Sequence, residues 1–170
     1  MAATYTPIAS VTLGAATSSV TFSSIPQTYT DLILVNYFAT TTVNEDAYVQ
    51  FNSDTGSNYS RTHVRGNGST AGSGRASNQT YCLIDLDSSG STLNSGLQTI
   101  THFMNYSNTT TYKTLLSRSG TLGGSYTGTT LLTGLWRNTN AITSILVGCT
   151  TNTFVVGSTF NLYGIQAGNA

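Results

Sequence analysis

Few residues in this chain could do chemistry, and they lie far apart. Asp85 and Asp87 stand two residues apart, which puts both on one face of an extended segment. Paired carboxylates can run glycoside hydrolysis from separations of about 5 to 10 Å. This pair sits where a strand meets a Ser-Ser-Gly turn, and the chain holds only 6 acids, so solvated strand-end acids are the simpler reading. Asp54-x-Gly56-x-Asn58 has the outline of part of a calcium loop. A calcium ion takes about six or more oxygens, usually several of them carboxylate. This stretch offers one carboxylate and no following Glu, and the same residues make a natural Asx turn.

His63 and His102 are the two histidines. Neither comes with a G-x-S-x-G nucleophile motif, a recognisable cysteine nucleophile or a zinc spacing. His102 reads as a strand residue. Cys82 and Cys149 each lie in an apolar, strand-like run and read as buried free thiols. Gly66, Gly68, Gly72 and Gly74 are followed by no Lys-Ser/Thr pair and no helix, so they do not form a phosphate loop. No catalytic residue, cofactor or metal is expected.

Aromatic side chains join an apolar face to a polar tip, which suits sugar or protein contacts. Most of the 10 tyrosines fall inside strands, where packing is the default. Tyr59, Tyr126 and Trp136 lie in or near loops. Trp136-Arg137 joins two residue types enriched in binding hot spots, and it reads equally as an interface anchor or as a cap over one end of a core. With Tyr5 on the first strand, Tyr59, Tyr126, Trp136 and Arg137 make up the candidate partner interface.

The elements that must position these residues are strands. Residues 18–37 read as strand, tight turn, strand: Val20 and Phe22 alternate with polar neighbours, Pro26 breaks the ladder, and 32–35 is an unbroken apolar run. This pair is expected to form the core. Residues 5–13 look like an edge strand carrying Pro7, with 1–6 as a loose arm and 7–167 as one domain. Residues 47–52 alternate, with Tyr48 and Gln50 on one side and Val49 and Phe51 on the other. Residues 61–65 suggest a short strand with Val64 inward. Residues 66–78, rich in Gly, Ser and Ala, read as a long exposed loop. Further strands are expected at 80–86, 96–106, 112–118, 131–136, 141–149 and 158–166, with 120–130 as a loop. The closing strand is a candidate partner for 32–35. No helical periodicity or internal repeat stands out. About nine or ten short strands spaced by turns point to an all-β, two-sheet antiparallel sandwich of jelly-roll type.

Charged residues make up 7% of the chain, against about 25% in ordinary soluble domains. Six basic and 6 acidic side chains cancel. That leaves no electrostatic footprint for nucleic acid and no basic face for a membrane surface. It also removes the self-repulsion that keeps free monomers apart, as if much of the surface were meant to be covered. Thr, Ser, Asn and Gly take the place of charge, favouring strands and turns. The opening MAATYTPIAS lacks the basic and apolar regions of a signal peptide, so a chain made and folded in a cytoplasm is expected. No apolar run approaches the roughly 20 residues of a membrane helix.

Several stretches resemble a known group. FSSIPQTYTDLILV, FNSDTGSNYS, NYSNTTTYKTLLSRSG, GLWRNTNAITSI and GSTFNLYGIQA occur in order from Phe22 to Ala167. They resemble small virion structural proteins of tailed bacteriophages, some of which are similar to jelly-roll capsid cement or decoration proteins. The resemblance implies a non-enzymatic protein of the capsid surface, a homotrimer that binds the phage major capsid protein. A tail or fibre module that binds a host receptor or another tail protein is the second expectation. A carbohydrate-binding module or a small glycan hydrolase is the third.

Overall fold

Period-two patterning dominates the chain, and strands form where it runs. The computed structural model describes residues 4–86, 90–121 and 128–166. Among them are twelve strands: β1 Tyr5–Thr12, β2 Ser19–Phe22, β3 Asp31–Phe38, β4 Ala47–Phe51, β5 Tyr59–Gly66, β6 Ala71–Gln79, β7 Cys82–Leu83, β8 Leu97–Met104, β9 Lys113–Thr121, β10 Gly128–Trp136, β11 Ile145–Cys149 and β12 Thr159–Ile165. Leu93–Ser95 forms a single 3-10 turn.

The strands build a two-sheet antiparallel sandwich. One sheet has eight strands in the order β1-β12-β3-β8-β9-β10-β5-β6, and the other has four in the order β2-β11-β4-β7. Eight strands form the frame: β1, β2, β3, β4, β7, β8, β11 and β12. They pair first with last and so inward (β1 with β12, β2 with β11, β3 with β8, β4 with β7), while successive frame strands alternate between sheets except at β4 and β7, which share the smaller one. That is the wrapping of a jelly roll. The remaining strands are two insertions, β5–β6 and β9–β10. They pair with each other through β5 and β10 and extend the larger sheet beyond the smaller one.

This arrangement corrects several expectations. There are twelve strands among the described residues rather than nine or ten. Residues 18–37 are not a hairpin, because β2 and β3 lie in different sheets and the connection crosses between them. As expected, the closing strand pairs with β3, with Leu34 opposite Leu162, and β8 pairs with β3 on its other side. Much of 66–78 is not a loop: β6 pairs with β5 from Gly66 opposite Ala71 to Tyr59 opposite Gln79. Of the expected 120–130 loop, the first two residues belong to β9 and the last three to β10, and residues 122–127 lie outside the described residues. The 80–86 strand shrinks to Cys82–Leu83, and the 141–149 strand starts at Ile145. Tyr5 and Thr6 belong to β1 rather than to an arm, paired with Ile165 and Gly164.

The core lies between the sheets and is closed at each end by aromatics. Phe38, Phe154 and Phe160 meet at one end, with ring centroids 4.8 to 6.1 Å apart. Phe51, Phe103, Trp136 and Tyr59 meet at the other, with centroids 5.3 to 6.3 Å apart. Between them Leu32, Leu34, Val49, Val147 and Leu162 are buried. Cys82 and Cys149 are free and buried, as expected. Part of the interior is polar: Asn36 donates to Thr99 Oγ1 (3.0 Å), Thr101 and Ser117 share a hydroxyl bond (2.9 Å), and Ser117 donates to the Ile84 carbonyl (2.6 Å).

Candidate functional site

The larger sheet has two faces, and β5 shows how they are sorted. Tyr59, opposite the buried Trp136, fixes the inner parity of this strand. Arg61, His63 and Arg65 share that parity, so Val64 points outward and is 53% exposed. The expected inward Val64 is therefore reversed. On β6, Gly72 and Gly74 stand opposite Arg65 and His63. A Cβ on Gly74 would lie 2.8 Å from His63 Cε1, so the small residues of β6 make room for the large ones of β5.

The outer face carries an unusual amount of apolar surface. One cross-strand row runs Val64, Leu131, Arg118, Ile100, Val35. The next runs Thr62, Thr133, Leu116, His102, Ile33, Tyr163. Leu131 and Leu116 are 47% and 40% exposed. Tyr5, Ile33, Ile100, His102, Leu116, Arg118, Leu131 and Ile165 line a trough of ≈ 330 Å³ on this face. Tyr5 packs edge-on against Tyr163 at 6.5 Å and closes one side. Monomeric proteins rarely leave broad apolar patches uncovered unless something docks there. Aromatic and arginine side chains together with few Lys, Glu or Asp are the composition of protein interfaces.

Charge is withdrawn from the rest of the surface. Among the described residues only Arg75 and Arg118 are exposed charged side chains. Arg75 lies on the edge strand β6, outside the trough, whereas Arg118 lies within it. No hydrogen bond or ion pair holds Arg118 among the described residues. The single lysine, Lys113, is buried and donates to the Thr111 and Thr139 carbonyls at 2.7 and 3.0 Å. Burial lowers its pKa. Glu45 accepts from Thr150, Thr151 and Asn152 at 2.7 to 3.1 Å. Asp31 accepts from the Asn105 N–H at 2.6 Å and pairs with His102 Nε2 at 3.0 Å.

The sequence-derived interface residues divide. Tyr5 is exposed on this face. Tyr59 and Trp136 are fully buried, which corrects their assignment to a partner interface. Of the two readings of Trp136, the core cap stands. Its indole donates to Asp54 Oδ2 at 2.7 Å, and the Tyr59 hydroxyl donates to the Asp54 carbonyl at 3.1 Å. Arg137 is half-buried and clamps the same loop, donating to the Ser57 carbonyl at 2.6 Å and Asn78 Oδ1 at 3.1 Å. Tyr126 lies outside the described residues.

The other candidate groups also find places. Asp54 is an Asx-turn acid, as expected, accepting from the Gly56 N–H at 2.8 Å. Partial burial alone would raise its pKa, but hydrogen bonds from Trp136, Asn58 and Gly56 outweigh that and hold it below the usual carboxylate range. Asp85 is buried, not solvated as expected, and Asp87 lies outside the described residues. His63 and His102 stand on opposite faces of the larger sheet. Among the described residues no group of three His, Cys, Asp or Glu side chains gathers to hold a metal.

The sequence reading missed Arg118, Leu116, Leu131 and Ile100. A signal for Leu116 and Leu131 existed in the doublets Leu115-Leu116 and Leu131-Leu132. A strand with one wet face alternates, whereas a doublet puts an apolar group on both faces. No protein-family model matches the chain, and no curated protein is similar to it.

Proposed function

We propose that this chain is a non-enzymatic virion structural protein of a tailed bacteriophage, a capsid cement or decoration protein. The observation that carries the reading is a jelly-roll sandwich that leaves only two charged side chains exposed among the described residues while presenting a largely apolar sheet face. Such a surface is suited to being covered in an assembly. The stretches quoted from 22 to 167 supply the link to virions.

On this reading the protein binds the assembled shell at the capsid surface and bridges neighbouring major capsid subunits. A ligand that binds only the assembled lattice stabilises it by mass action. Many identical contacts then add through avidity. A homotrimer matches a three-fold lattice position. The function needs no cofactor, nucleic acid or membrane.

The test is to compare particles with and without the protein under heat and osmotic shock. Particles lacking it should release their contents under milder conditions, and adding the purified chain back should restore resistance. Equal resistance would end the cementing role. Finding the protein only at the tail would replace this reading with that of a tail module.

A further inference from the structure

Taking the assembly reading as its starting point, we propose that the outer face of the eight-stranded sheet docks a partner protein through a carboxylate set among apolar side chains. Arg118 is the group that receives it.

Arg118 sits in the middle of the apolar face. In register it lies between Ile100 and Leu131, and it lines the trough with Leu116 and His102. Its guanidinium is exposed and has no partner among the described residues. A purely apolar occupant would strip water from an unpaired charge, which is strongly unfavourable. A carboxylate meets the planar guanidinium with two parallel hydrogen bonds, and drying by the surrounding leucines strengthens them. The face therefore selects an occupant that is apolar with one acid inside it.

The described residues of a second copy of this chain do not fit. Among the described residues none of the five acids is exposed. Asp31 is engaged by His102 and Asn105, Asp54 by Trp136 and Asn58, and Glu45 by Thr150 and Asn152. Asp85 is buried and Asp46 is half-buried. The described residues of a copy placed on this face would thus bring no ready carboxylate to Arg118. Nucleic acid fits no better, because a chain of zero net charge offers a single arginine in an apolar field, not a row of cations for phosphates.

The test uses the full chain, immobilised, and a random-peptide display library. Enriched peptides should combine Asp or Glu with neighbouring Leu, Ile, Val, Phe, Tyr or Trp. Their affinity should fall about tenfold or more for Arg118→Gln, the loss of a charge-assisted bond. Leu131→Asp should abolish binding, and Arg75→Gln should change it by less than about twofold, as for an outlying surface charge. All three sites are on the surface, and unchanged thermal melting verifies that each variant is folded. Enriched peptides without a carboxylate, undiminished binding by Arg118→Gln, or no enrichment at all would overturn the proposal. So would self-association of the wild type that Leu131→Asp removes, because the occupant would then be a second copy. The library contains no virion surface, so this result and the particle experiment can fail independently.

Discussion

Asp54 is a loop acid converted into a structural one. Its carboxylate ties the turn at Gly56 and Asn58 to the indole of Trp136, which caps the core. Because its native pKa is lowered, the ionised form is the one that stabilises the fold. That contribution is fully present above the unfolded carboxylate range, near 3.8, and is lost as pH falls through the lowered native value. Urea midpoints should therefore show Asp54→Asn to be less stable than wild type at neutral pH, with the gap closing in acid. A gap that stays constant down to the acid limit would show that the charge is irrelevant. The thiols give a second residue-scale expectation. Burial pushes both Cys82 and Cys149 up to about 12, with Arg61 easing Cys82 slightly and Glu45 raising Cys149 further. The thiolate is the reactive form, so an aromatic disulfide reagent at neutral pH should label neither thiol in the native protein and both in denaturant. Rapid native labelling would place one of them at the surface.

At the scale of elements, β3 separates the two faces most sharply. Leu34 is completely buried between Leu162 and Thr101 in register, while its neighbour Val35 faces outward. Leu34→Ala should cost about 2 to 5 kcal/mol by chemical denaturation, as large-to-small core changes do. Val35→Ala should cost about 1 kcal/mol or less, and Leu34→Asp should leave no folded protein. Equal costs for the two alanine changes would mean that the core is misplaced. Strands with clear alternation or long apolar runs were legible in the sequence, including β3, β4 and β12. The β5–β6 hairpin was not, for a physical reason. Ladder hydrogen bonds need only backbone, so Ala71–Gln79 can be a strand while its composition reads as linker. Its glycines lie beneath His63 and Arg65, whose inward placement also reversed Val64. Sequence patterning assumes that apolar side chains face in, and this insertion, extending past the smaller sheet, does not obey that rule.

For the whole molecule, the distribution of charge matters more than its amount. The low charged fraction was visible in the composition, but it could not show that the remaining charges are mostly tucked away. Nor could it show that one of the two exposed ones, Arg118, stands in an apolar trough. That conjunction arises only when β3, β8, β9 and β10 lie side by side, bringing residues from 33 to 131 into adjacent rows. The aromatic residues singled out near loops gave a partial view: Tyr5 is on the face, whereas Tyr59 and Trp136 hold the core together. On the proposed reading the molecule is a jelly-roll building block that covers a partner surface with its larger sheet. The most direct test is the position and orientation of this chain in the density of an intact particle. Density is expected on the outside of the capsid at subunit junctions, with Leu116, Arg118 and Leu131 turned toward the shell. Density confined to the tail, or that face turned to solvent, would contradict it.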